Sequence, residues 1–276
     1  MILSSLGHSR IKNACDCHVH IFDPASQIRP GPPPPRIPGI SDYRKMQKSL
    51  GLERSVVVTP SYYGTNNTPT LKAINELGRS VSRGVAVIHP DISDEELSLL
   101  HKSEFRGVRF SLHSPARATT TLEMIEPVAR RIQKLGWHTQ LHFLGEQISK
   151  HRHLLKKLPG TIVFDHMLRV GPELPATRDA IDIVGDLVSR GRTWIKLSGP
   201  YLNSQRDDYS DTITLARRLI ELAPDRIVWG SDWPHPTEVS YTPDDFSLLA
   251  LLDKWAPDPQ IKRRILVDNP ANLYKF

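Results

Sequence analysis

The chain has 276 residues, 39% of them hydrophobic, and 36 Lys+Arg against 30 Asp+Glu give it a formal charge of +6. That supports one sizeable core, and a single domain spanning 1–276 is within the usual size of an α/β barrel. No apolar run approaches the roughly 18 residues of a membrane span, the start MILSSLGHSRIKN lacks the form of a leader, and Cys15 and Cys17 alone cannot build a disulfide framework, which together point to the cytoplasm and exclude a membrane partner.

From Ala14 onward, short β-branched runs alternate with longer amphipathic ones. The expected strands are Ala14–Phe22, Arg54–Pro60, Gly84–His89, Gly107–Leu112, His138–Phe143, Thr161–His166, Thr193–Ser198 and Arg226–Ser231. Helices are expected near 41–50, 68–80, 93–103, 119–135, 145–158, 176–190, 208–222 and 242–255, with a last one over 260–267. Ser93-Asp94-Glu95-Glu96 and Thr242-Pro243-Asp244-Asp245 read as helix caps with acidic first turns. The continuous Val56-Val57-Val58 run suits a parallel sheet covered on both faces. Eight strand-then-helix units predict an α/β fold, a distorted (β/α)8 TIM barrel. A dinucleotide-type sheet would carry a Gly-rich turn after its first strand, whereas His18-Val19-His20 stands there. The segment Arg29–Gly39, RPGPPPPRIPG, is a stiff extended loop expected to cover the barrel mouth.

In such a barrel the active site forms at the carboxyl ends of the strands, and polar residues gather there. Period-2 alternation puts Asp16, His18 and His20 on one face of the first strand. The fifth strand offers His138, Gln140 and His142, the sixth ends in His166, and the eighth runs through Asp232 to His235. Imidazoles so placed grip a metal or donate to an oxyanion, and a nearby carboxylate serves as a general base. His8, His101, His151 and His153 are expected on the surface. Positive charge is spread along the chain with no basic stripe or nucleic-acid module, which excludes a nucleic-acid partner and favours a small anionic substrate.

Asp16-Cys17-His18-Val19-His20, Gly107-Val108-Arg109-Phe110, Phe164-Asp165-His166-Met167, Lys196-Leu197-Ser198-Gly199-Pro200-Tyr201 and Gly230-Ser231-Asp232-Trp233-Pro234-His235 together resemble the amidohydrolase superfamily. The likeness is to its branch of 2-pyrone-4,6-dicarboxylate lactonase and related sugar-acid lactonases. It implies hydrolysis of a carboxylated lactone, with Asp232 as general base and His18, His20 and His166 as oxyanion donors. The same resemblance implies that Arg109 and Arg169 receive substrate carboxylates. Lys196, Ser61, Tyr63, Thr59, Gln140, His142 and His235 join them as expected pocket contacts.

The resemblance implies that no cofactor is needed, since the pyrone-dicarboxylate members of the branch work without a metal, and Arg109, where a two-metal enzyme would place a bridging ligand, argues against a two-metal site because its fixed charge repels a cation. One zinc ion on His18, His20, His142 and Asp232 (or His166) is the alternative. Two departures matter: His142 replaces a tyrosine common in the branch, and Leu202 replaces an arginine that often follows Gly-Pro-Tyr. The second points away from a dicarboxylated pyrone and toward a differently decorated lactone. Competing activities on the same residues are zinc-dependent amide hydrolysis, aromatic-acid decarboxylation and lactone isomerisation. A barrel that only binds would have no need of Asp232 opposite oxyanion donors.

Overall fold

The computed structural model describes residues 11–114, 118–171 and 175–276. His8 lies outside them, as does most of the stretch read for a leader. Eight parallel strands run in chain order: β1 Cys15–Val19, β2 Arg54–Val58, β3 Ser82–Ala86, β4 Phe105–Ser111, β5 His138–His142, β6 Thr161–Phe164, β7 Thr193–Leu197 and β8 Ile227–Trp229. The ring closes just past β8, where the Asp232 amide donates to His18 O at 2.8 Å and the His20 amide to Trp233 O at 2.7 Å. Glycine is required at 230, since a Cβ there would lie 2.6 Å from His18 Cβ and 2.7 Å from its backbone nitrogen. This is the expected (β/α)8 barrel, and every expected strand is present.

The helices around it are α1 Ile40–Ser49, α2 Thr68–Leu77, α3 Asp94–Lys102, α4 Ile125–Ile132, α5 Gly145–Lys150, α6 Arg152–Lys157, α7 Pro175–Ser189, α8 Ile213–Leu222, α9 Asp245–Trp255, α10 Pro259–Arg263 and α11 Asn269–Tyr274. Ser93 caps α3 in a reciprocal box with Glu96, and Asp244 caps α9 by accepting from the Ser247 amide. The helix expected over 145–158 is two helices, broken at His151, whose φ of −104° and ψ of 20° leave the helical region. The last helix runs on beyond 267 through a π turn into α11. No helix among the described residues is long and apolar enough to cross a membrane.

Outward strand residues such as Val57, Val108 and Ile195 join the apolar layer under the helices. Inward ones, Cys15, Cys17, Val56, Val58, Val85, Val163 and Val228, pack with Tyr274 to plug the lower barrel. Each strand therefore buries both faces, as its unbroken hydrophobic runs require.

One irregularity sets up the chemistry. β1 pairs Asp16 with Ser55 and Val19 with Val57, so Cys17 and His18 together stand opposite Val56. This bulge shifts the alternation by one residue. Asp16 then faces outward to Ser231 and Tyr43, while His18 turns into the barrel. The expectation that Asp16 shares the histidines' face fails for that reason.

Candidate active site

The upper barrel interior holds a cavity of about 90 Å³, below the volumes typical of pockets for drug-sized ligands and suited to a compact ring. Among its walls are His20, Ser61, Arg109, His142, His166 and Asp232, all expected from the sequence. Arg29, Pro30, Gly31 and Pro32 also line it, so the proline-rich segment does cover the mouth. Tyr62, Ser111, His113 and Leu202 complete the parts that matter here. Ser111 and His113 continue the two-residue alternation of Arg109 in β4, a signal that would have found them.

The carboxylate of Asp232 is held at one end only. Tyr201 OH donates to Oδ2 at 2.6 Å, while Oδ1 lies 3.6 Å from both His18 Nε2 and His20 Nε2. Asp165 is the opposite case. Its Oδ2 accepts from Arg109 Nε at 2.9 Å and Gln140 Nε2 at 3.1 Å, and its Oδ1 lies 3.3 Å from His18 Nδ1. Burial alone would push Asp165 up, but His18, Arg109 and Lys196 outweigh it and hold the carboxyl well below the usual range.

Hydrogen-bond partners fix the imidazole protons. His20 Nδ1 donates to Val58 O at 2.8 Å, which turns the Nε2 lone pair inward. Arg109 can only donate, and its Nη2 lies 3.0 Å from His142 Nδ1 and 3.3 Å from His166 Nε2. Both atoms therefore accept, His166 Nδ1 donates to Ser198 Oγ at 2.9 Å, and the proton of His142 sits on Nε2. That buried atom has no partner. Burial, reinforced by neighbouring Lys196 and Arg109, holds His18, His20, His142 and His166 below the usual histidine range, so the rings are neutral at pH 7. As neutral rings, His20 and His166 offer lone pairs rather than the donors expected of them. His142 is the ring with an N–H to give.

Several expected contacts lie elsewhere. Lys196 is fully buried beneath the cavity, donating to Cys17 O at 2.9 Å and Gln140 Oε1 at 2.8 Å, with His18 Nδ1 at 3.4 Å. Burial pulls its ammonium down to about 8, against the opposing charge of Asp165. Gln140 is part of the same buried layer. Tyr63 turns away and exchanges hydrogen bonds with the Asp23 backbone, leaving its neighbour Tyr62 in the wall. Thr59 bonds Asn67 and Thr70. His235 stands behind Tyr201, not in the cavity. Arg169 is half-buried, and burial lowers its basicity while the charge of Asp232 opposes that shift.

His166 to Arg169 all have positive φ, 49°, 53°, 66° and 50°. Such a left-handed run is costly for side-chain-bearing residues, roughly 1–2 kcal/mol each, and is held by buried Met167 and Leu168 and by Asn203 Nδ2 donating to His166 O at 2.9 Å. It swings His166 over the barrel against Gly199, where a Cβ would meet its Nδ1 at 3.1 Å.

The donors suit one metal ion better than two. His18 Nε2 and His20 Nε2 are 3.3 Å apart and each is 3.6 Å from Asp232 Oδ1, close to the roughly 3.3–3.4 Å ligand spacing of a tetrahedral zinc site with bonds of about 2.0–2.1 Å. His166 groups with His18 and Asp232, whereas His142 groups with Asp165 and His166. Arg109 Nη2 sits between those last imidazoles and claims their lone pairs. Arg109 thus occupies the lone pairs of both His142 and His166, and those left beside Asp232 belong to His18 and His20.

A sequence profile described as amidohydrolase matches residues 15–276. A 2-pyrone-4,6-dicarboxylate hydrolase of Comamonas testosteroni is 33% identical over 276 residues, covering 95% of this chain and 90% of the relative. A D-galactarolactone isomerase of Agrobacterium fabrum is 30% identical over 278 residues, covering 96% and 92%. A crystal structure of an Agrobacterium tumefaciens protein in its apo form superposes with a TM-score of 0.85 at 28% identity, covering 96% of each chain. On residues 15–276, this chain belongs to the amidohydrolase family.

Proposed function

We propose that this enzyme hydrolyses a small anionic lactone by attack of water on the ring carbonyl. The observation that carries the reading is Asp232, anchored through Oδ2 and turning Oδ1 toward His18 and His20, at a cavity that Arg109 and His142 also line. Relatives at 30–33% identity are named a pyrone-dicarboxylate hydrolase and a galactarolactone isomerase.

Asp232 Oδ1 takes a proton from water as the water oxygen bonds to the carbonyl carbon. The carbonyl oxygen gathers the displaced electron pair beside the hydrogen-bond donors of the wall, the Arg109 guanidinium among them. Losing one such donor typically costs about 10²–10³ in rate. When the carbonyl re-forms, the ring C–O bond breaks and the ring oxygen recovers the proton from Asp232, giving an open-chain acid. Arg109 has committed Nε and Nη2 to protein partners, so Nη1 remains for a substrate carboxylate, with Arg29 at the mouth and Arg169 near Asp232. Leu202 and the prolines add apolar wall beside the uncharged Ser61 and Ser111, which favours fewer acidic groups than a cavity ringed by arginines. His18, His20 and Asp232 would hold a single zinc ion, which when bound supplies Lewis-acid polarisation of the carbonyl.

Pyrone dicarboxylate, muconolactones and aldarolactones should be incubated with metal-analysed protein and the products followed by NMR. A ring-opened acid from an anionic lactone is expected. Turnover of none of them overturns the reading, and a rearranged lactone without net ring opening replaces it with isomerisation.

A further inference from the structure

We propose that Tyr201 is a positioning residue for Asp232, braced in that role by His235 and Asp245. The inference rests on the reading of Asp232 as the general base.

Asp232 has a φ of 63°, in the left-handed region. Among the described residues its one side-chain hydrogen bond is the 2.6 Å bond from Tyr201 OH to Oδ2. Tyr201 lies in the turn Pro200–Leu202 after β7 and is buried. Burial and the adjacent Asp232 push its phenol well above the ordinary range, so it stays a donor. Behind it, His235 Nδ1 lies 3.1 Å from the phenol oxygen and His235 Nε2 lies 3.2 Å from Asp245 Oδ1, on the first residue of α9. The two rings meet edge to face at 5.4 Å. Three close polar contacts thus run in line from α9 to the base, with His235 Nδ1–H donating to the phenol oxygen because the one proton of Tyr201 is committed to Asp232. Neither Tyr201, His235 nor Asp245 lines the cavity, so their effect on chemistry passes through Asp232. With Oδ2 tied down, Oδ1 alone faces the reacting atoms.

The test combines kinetics on the best lactone with crystal structures of the wild type and Tyr201→Phe. Tyr201→Phe should lower kcat about 30-fold with KM within threefold, a size consistent with displacing a reacting group by about 1 Å. His235→Leu should lower kcat about tenfold alone and add nothing in the Tyr201→Phe background, because it acts through the phenol. In the Tyr201→Phe crystal the carboxylate should turn so that Oδ1 leaves its place 3.6 Å from both imidazoles. Asp245→Asn, at the partly exposed end, should cost about threefold in kcat and serves if Tyr201→Phe does not fold. Full kcat in Tyr201→Phe or Asp245→Asn, multiplying losses in the double variant, or an unmoved carboxylate overturns the proposal. If the wild type opens no lactone but the carboxylate turns in Tyr201→Phe, the lactonase reading fails and the positioning stands.

Discussion

The ends of β6 and β8 each present a buried aspartate to the upper barrel, and the two are built for different work. Asp165 meets Arg109, Gln140, His18 and Lys196. Asp232 meets the phenol of Tyr201 and, at 3.6 Å, the imidazoles of His18 and His20. A carboxylate surrounded by cations is stabilised as an anion and has no reason to accept a proton. Asp165 therefore organises the site: it holds Arg109, which in turn fixes the tautomers of His142 and His166. Asp232, tethered at one oxygen, is both located and free to react. The lesson is that burial does not mark a catalytic carboxylate; what separates the two is the guanidinium of Arg109 on Asp165 against the phenol of Tyr201 on Asp232.

The largest effect expected from breaking this contrast is on rate. Asp232→Asn should lower kcat roughly 10³- to 10⁴-fold, the upper range for a general base, while substrate binding by calorimetry and the unfolding midpoint stay near wild type. A variant that keeps more than a tenth of the rate removes Asp232 as the base. Asp165→Ala should act on the fold: stranding Arg109 and Lys196 in the interior should cost about 3–5 kcal/mol in urea unfolding. A loss below about 1 kcal/mol would mean that Asp165 is not the organising anchor.

Asp16 sharpens the comparison as a third buried aspartate. It accepts from Ser231 N, Ser231 Oγ and the His18 amide but faces no cation at hydrogen-bond distance, and burial pushes it up to about 6. A carboxyl raised in the folded state favours folding when neutral, so its contribution is complete below about pH 4 and lost as pH rises through 6. Between pH 4 and 7 the wild type should lose on the order of 3 kcal/mol that Asp16→Asn does not lose. Parallel stability curves for the two proteins would refute this. The smallest effect belongs to Arg109→Met, which should weaken binding of anionic lactones by about 2 kcal/mol more than neutral ones, within the range for a charged hydrogen bond. An unchanged preference removes Arg109 from substrate recognition.

Much of this was legible before any coordinates. The β-branched runs placed all eight strands, the Ser93 and Asp244 caps began their helices where expected, and the residues from His18 to His20 and from Gly230 to His235 marked the two strands that close the ring. His138, Gln140 and His142 do share one face of β5, yet they sit at three depths. His138 meets Tyr274 in the lower plug, its ring lying against Gly107. Gln140 joins Lys196 and Asp165 in the middle, and only His142 reaches the cavity.

Local periodicity determined which face a residue takes, because side chains alternate along a strand. It was silent on depth, since each two-residue step moves a side chain about 6.6 Å along the strand and barrel register decides which strand ends meet. Only the tertiary structure buried Lys196 beneath the site, set His235 behind Tyr201, chose Tyr62 over Tyr63 for the wall and, through one extra residue opposite Val56, turned His18 inward while Asp16 went out. Those outcomes depend on the pairing of distant segments, which no single stretch of chain contains.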